Sequence, residues 1–192
     1  MKRLGYLFAV AAGVAAWSEA AVYTTERLND LAVRDGNGQI VVYGTDGSYN
    51  DNPSLTKAAA FDGDTETFFD PSSAAVTEPC WAGFELETPM MITRVRFYPR
   101  ATYPDRLVGC LIQGANTVDF SDAVTLHTIT AARANAWGDE KMSTPESMQA
   151  FRYVRIYGPT PYAAGGPLNG SCCGNVAEIE FYGSDLPMTN RA

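Results

Sequence analysis

Apolar and polar residues alternate with a period of two in many short segments of the chain. In residues 81–87, WAGFELE, Ala82, Phe84 and Leu86 share one face while Glu85 and Glu87 share the other. In residues 92–98, ITRVRFY, Val95 and Phe97 oppose Arg94, Arg96 and Tyr98. Residues 107–113, 124–129, 151–157 and 176–182 behave alike, and in the last Ala177, Ile179 and Phe181 oppose Glu178, Glu180 and Tyr182. Side chains two apart on a strand lie on one face, so this pattern predicts antiparallel strands with one face buried. Turn signals separate them: DGNG at 35–38, TDGS at 45–48 and a Gly/Pro-rich stretch at 158–174. No amphipathic helix exceeds two turns, and residues 145–150, PESMQA, suggest one short helical turn at most. Internal repeats and linkers are absent, which predicts a single all-β sandwich.

Composition narrows the functions open to such a sandwich. The chain has 192 residues, 46% hydrophobic and 19% charged, enough to bury a core. Its net charge of −8 argues against binding a nucleic-acid backbone or an anionic lipid surface. Met1, Lys2 and Arg3 precede an apolar stretch, LGYLFAVAAGVAAW, that is shorter than the ~20 residues needed to span a bilayer. Ser18-Glu19-Ala20 then fits a cleavage site, so residues 1–20 are expected to be an export signal removed after Ala20. Losing Lys2, Arg3 and Glu19 takes the basic count from 14 to 12 and the acidic count from 22 to 21, a mature charge of −9. The expectation is a secreted or extracytoplasmic protein without membrane insertion. Four cysteines then meet an oxidising compartment. No CxxC pair points to zinc, and the adjacent Cys172 and Cys173 are expected to bridge to Cys80 and Cys110. The alternative is one bridge, with Cys110 packed as a small hydrophobe. Asn169-Gly170-Ser171 is a glycosylation sequon in a eukaryotic host.

Candidate chemistry concentrates in one loop. In KAAAFDGDTETFFD, residues 57–70, Asp62, Asp64 and Glu66 alternate with Gly63, Thr65 and Thr67. Asp62, Asp64 and Thr67 place carboxylate and hydroxyl oxygens within six residues, and Gly63 permits the turn that converges them. Hard oxygen donors suit calcium; an acidic surface turn is the plainer alternative. An EF-hand is excluded, because counting from Asp62 puts Thr67 where Gly is required and Ser73 where Glu is required. Catalytic signals are weak. The single histidine, His127, has no visible nucleophile partner and reads as structural, and no nucleophile elbow occurs. The pairs Glu85/Glu87 and Glu178/Glu180 resemble solvated strand faces more than a glycosidase dyad. The run AAGGPLNG at 163–170 lacks a phosphate-loop pattern. No catalytic residue is assigned, and the protein is not expected to be an enzyme.

AFDGDTETFF, followed by WAGFELETPMMITRVRFYPR, FRYVRIYGP and the closing NVAEIEFYG, resembles a discoidin-type domain. This is the coagulation factor 5/8 type C superfamily, which includes the galactose-binding-like carbohydrate-binding modules of family 32. The resemblance spans about residues 40–183. It divides the chain into the signal at 1–20, an N-terminal extension or first strands at 21–39, the discoidin-like sandwich at 40–183 and a tail at 184–192. It implies an antiparallel jelly-roll sandwich of eight strands that binds glycans, lipid headgroups or proteins through loops at one end. It further implies a structural calcium held by the carbonyls of Ala59 and Ala177 with Asp62, Asp64, Thr67 and Glu178. For the ligand, relatives use an Arg in a segment matching FYPRATYPDR and an Asn five residues later, which here become Arg100 and Asp105. Tyr162 before the last strand is the implied aromatic contact, and Tyr103, in the same loop as Arg100, is a further candidate to stack on a sugar face. The family's His and Trp after the metal loop have no counterpart, since the chain reads FFDPSSA there, so galactose itself is not implied. The resulting expectation is a noncatalytic carbohydrate-binding module with a glycan or glycoconjugate partner. A protein-interaction or matrix-attachment domain is the alternative, and a jelly-roll glycoside hydrolase a more distant one.

Overall fold

A computed structural model describes residues 26–71, 78–142, 148–160 and 174–184. The proposed signal at 1–20, Tyr162, the sequon at Asn169, Cys172 and Cys173 lie outside them, as does the first half of the PESMQA segment. Eight strands are described: β1 (Glu26–Arg27), β2 (Val42–Gly44), β3 (Cys80–Pro99), β4 (Leu111–Ala115), β5 (Val124–Thr128), β6 (Gly138–Lys141), β7 (Ala150–Gly158) and β8 (Val176–Ser184). Every pairing among them is antiparallel.

Strand β3 organises both layers. Its first half pairs with β2 on one side and β7 on the other, and β7 continues to β4 and β5. Its second half pairs with β8, which carries β1, and with β6. The sequence suggested two strands, 81–87 and 92–98; the chain instead runs through as one bent strand. Pro89 does not stop it because it falls at the register shift between Glu85 and Met90, on exposed backbone where no ladder donor is required. The predicted strand at 107–113 begins late, at Leu111. Residues Pro104–Leu107 form a 3-10 turn instead, and Gly109 turns the chain at φ 91°.

The alternating residues meet between the layers. Ala82, Phe84 and Leu86 face Val95, Phe97, Ile179 and Phe181, all buried. The Phe84 ring packs edge-on against Phe181 across the layers at 5.7 Å and against Phe61 at 5.2 Å. Burying each such ring is worth roughly 1.5–3 kcal/mol. Residues of the segment 21–39, expected as an N-terminal extension or first strands, also take part, since it carries β1 and Leu28 is fully buried. Buried Asn29 donates to the Ile179 carbonyl and accepts from the Phe181 amide, extending the edge of β8 beyond the two residues of β1.

The connection from β7 back to β8 starts at Gly158, opposite Cys80, and ends beside Val176, opposite Pro99. This places Cys80, Arg100, Asn175 and the turn before β4 at one end of the sandwich. Cys80 and Cys110 are both buried there.

Candidate functional site

The acidic loop approaches β8 through one carboxylate. Glu178 is 2% exposed, and its Oε2 accepts the Gly63 amide at 2.7 Å. Its Oε1 is buried with no hydrogen-bond partner. Burial, with the Asp62 charge adding to it, raises the Glu178 carboxyl to about 8 against the counteracting Gly63 hydrogen bond. Within the loop, Asp62 accepts the Asp64 amide at 2.9 Å and the Thr67 hydroxyl at 2.7 Å. The Asp64 carbonyl also faces that hydroxyl at 3.1 Å, while the Asp64 carboxylate caps the Glu66 amide. Ala177 is the residue left over by the register shift between Tyr98 and Pro99, a bulge that re-aims its backbone, and Ala59 is buried at the end of the preceding 3-10 turn.

This arrangement fits a calcium ion. The Asp62 charge acts on Glu178, which is buried with an unsatisfied oxygen, and the Thr67 hydroxyl and the Asp64 carbonyl lie beside Asp62. No three His, Cys, Asp or Glu side chains converge among the described residues. A cation here would therefore rely on mixed oxygen donors, which is calcium's preference, and zinc would find neither imidazole nor thiolate. A cleft of about 200 Å³ reaches Asp62 and Gly63 and gives the loop access to solvent.

The second group of residues lies at the end of the sandwich where β3 leaves and β8 enters. Arg100 forms an ion pair with Asp70 at 2.6 Å, and its guanidinium lies 4.2 Å from the Phe68 ring centroid and 5.0 Å from that of Tyr103. The other Asp70 oxygen accepts from Asn175 at 2.9 Å, and the Asn175 amide oxygen accepts from Arg106 at 2.8 Å. Arg106 also lies over Tyr103, at 4.3 Å. The structure thus brings Arg100 and Tyr103 together and leaves Asp105 exposed on the turn, where its carbonyl accepts the Val108 amide. The carboxylate facing Arg100 is Asp70. The Tyr103 ring already serves two guanidiniums. Tyr162 lies outside the described residues.

Sequence reasoning missed Phe68, Asp70, Arg106 and Asn175. For Phe68 and Asp70 the signal was present in FFDPSSA, where the chain lacks the His and Trp of the resembled pattern. A fixed guanidinium beside a fixed carboxylate offers donors and an acceptor to adjacent hydroxyls without reorganisation.

No family model and no curated protein matches the sequence. Solved structures do match. The chain is similar to CBM62 from Clostridium thermocellum Xyl5A, with 37% identity and a TM-score of 0.63 over 76% of this chain and 95% of that one. An F5/8 type C domain from Bacteroides fragilis matches with 18% identity and a TM-score of 0.54, over 76% and 93%. The family 32 CBM of C. perfringens NanJ, solved with galactose, matches with 12% identity and a TM-score of 0.56, over 83% and 99%. The latter two bear on the fold alone, which is the discoidin-like sandwich.

Proposed function

The chain belongs to the CBM62 family of carbohydrate-binding modules, and from that premise we propose that it is a secreted, noncatalytic module that binds a glycan at the Arg100 end of the sandwich and carries a structural calcium ion. The observation carrying this reading is the match to CBM62 over nearly the whole of that module. The fixed Arg100–Asp70 pair supports the location, since it supplies a donor fork and an acceptor at a ring-lined loop end. Discrimination among sugars then follows from which hydroxyls reach both groups at once. Phe68, stacked under Arg100, presents an apolar edge in the region where the resembled pattern has His and Trp, consistent with a preference other than galactose.

The calcium ion would be held by Asp62, Thr67 and Glu178 with the carbonyls of Ala59 and Ala177, and Asp64 would shape the loop around it. It neutralises the carboxylates of Asp62 and Glu178 and ties the loop to the last strand; any effect on the glycan is indirect. Two disulfides, from Cys80 and Cys110 to Cys172 and Cys173, would secure the connection between β7 and β8. Affinity electrophoresis of the purified chain through a polysaccharide panel, with a reducing-end assay on the same mixtures, tests the function. Retardation without new reducing ends is expected. Release of reducing ends would make it an enzyme, and mobility indifferent to every polysaccharide would favour a protein partner instead.

A further inference from the structure

The outer face of the layer built from β2, β3, β7, β4 and β5 is unusually aromatic for a surface that alternation marks as polar. Tyr43, Trp81, Tyr153 and Tyr157 all project from it, partly exposed. Phe120, in the connection between β4 and β5, folds back onto them with φ +56°, packing edge-on against Trp81 at 5.2 Å and Tyr153 at 6.3 Å. A bulky residue in that backbone region is uncommon and must be held there by its contacts.

In the middle of these rings sits Arg155. It is 9% exposed, and its guanidinium lies 4.1 Å from the Phe120 centroid, 4.5 Å from Tyr157 and 5.1 Å from Trp81. Its Nε donates to the Gln113 amide oxygen at 2.8 Å. Among the described residues its two terminal nitrogens donate to nothing, and neither is sealed from solvent. Arg155 forms no ion pair there either. The Glu85 carboxylate on the same face is already taken, by Arg152 at 2.8 and 2.9 Å and by the Tyr43 hydroxyl at 3.3 Å. Burial pulls the Arg155 guanidinium below its ordinary value, the mark of a cation that the fold does not neutralise. Ring faces offset part of that cost, but a carboxylate in the guanidinium plane would offset more.

We propose that Arg155 and the rings of Trp81 and Tyr157 form a second binding site, on the sheet face and apart from the Arg100 end, for a carboxylate-bearing sugar, a uronate residue of an oligosaccharide. The terminal nitrogens take the carboxylate while the apolar face of the ring stacks on Trp81 or Tyr157. A neutral sugar offers the same stacking without a counter-charge. The choice of a sugar as carrier of the carboxylate rests on the carbohydrate-binding reading above; the unneutralised cation and its aromatic cage do not.

The test is calorimetric titration of the full chain with tetramers of galacturonate, glucuronate and mannuronate, each beside its carboxyl-reduced neutral counterpart. At least one uronate tetramer should bind, at least tenfold more tightly than its neutral counterpart. Arg155→Met, which fills the cage with an apolar chain, should weaken that binding at least tenfold, and because it leaves the buried Gln113 amide oxygen without its donor it should melt somewhat lower than the parent. Arg100→Ala should leave it unchanged. Should Arg155→Met fail to fold, NMR of the unmodified chain decides, since the Trp81 indole must shift on uronate addition. Absence of binding by all three tetramers, equal binding of the neutral counterparts, unchanged binding by Arg155→Met, or an unmoved Trp81 signal would overturn the proposal. If neutral polysaccharides are ignored but a uronate binds through Arg155, the loop-end reading fails and this one stands; the opposite pattern removes this one alone.

Discussion

Replacing Glu178 by glutamine should abolish the pH response of the calcium-free protein between pH 4.5 and 8. The carboxyl is raised from 4.5 to about 8 in the folded chain, chiefly by burial. Below pH 4.5 it is protonated in both folded and unfolded chains, and the stability is fully present. Between pH 4.5 and 8 the unfolded chain gives up the proton while the folded chain keeps it, so stability falls as pH rises and levels off above 8. At about 1.36 kcal/mol per pH unit, the loss approaches ~3 kcal/mol at pH 7 and ~5 kcal/mol above pH 8, both upper bounds because local relaxation softens a buried charge. Asp119, Asp122 and Asp139 are held below the ordinary carboxylate range by hydrogen bonds, so their contributions are lost only at acid pH, below this window. Urea unfolding at pH 5, 6, 7 and 8 in a chelator reads the slope directly. Calcium should remove most of it, adding about 2.7 kcal/mol when present at a hundred times its dissociation constant, or roughly 5–10 °C in Tm for a chain of this size. Glu178→Gln keeps an acceptor for Gly63, carries no charge, and should be more stable than the parent at pH 8 in chelator yet indifferent to calcium. A chelated parent whose stability is flat from pH 5 to 8, or a glutamine variant that still responds to calcium, would refute this account of the loop.

Other perturbations probe separate parts of the fold. Asn29→Ala strands the Ile179 carbonyl and the Phe181 amide in the interior and should cost about 2–4 kcal/mol in chemical denaturation. Gly44→Ala places a methyl 2.2 Å from the Trp81 carbonyl at φ +138°, so β2 must leave β3; a loss of roughly 2 kcal/mol or more is expected from thermal melts, and a neutral result would contradict the register. Mass spectrometry of unreduced peptides should find Cys80 and Cys110 joined to Cys172 and Cys173, each bridge worth roughly 2–4 kcal/mol; two free thiols in the oxidised protein would exclude the pairing.

The sandwich was legible because the core follows a rule of period two, and Ala82, Phe84, Val95, Phe97, Ile179 and Phe181 obey it. The strands that escaped notice, β2 and β6, have three and four residues, too few for alternation to register, while β1 falls in the segment 21–39 where an extension or first strands were expected. The bend at Pro89 was also hidden, because a proline ends a strand unless a register shift happens to meet it. Glu178 illustrates a deeper limit. Alternation assigned it to the outer face, and it is there, yet the acidic loop covers that face and buries it. At the Arg100 end of the sandwich, the family resemblance offered Asp105 as the residue acting beside Arg100. The chain brings Asp70 instead, thirty residues away, because the Asp70 segment is held by hydrogen bonds to Leu55, Tyr49 and Val176 that no local pattern announces.

The central claim is that this chain binds carbohydrate at the end of the sandwich where Arg100 meets Asp70. Calorimetry of the parent, Arg100→Ala and Asp70→Asn with whichever neutral glycan the panel retains measures it most directly. Both variants should fold, respond to calcium as the parent does, and bind that glycan at least tenfold more weakly. Parent-like affinity in both would place the glycan elsewhere on the molecule and contradict the assignment.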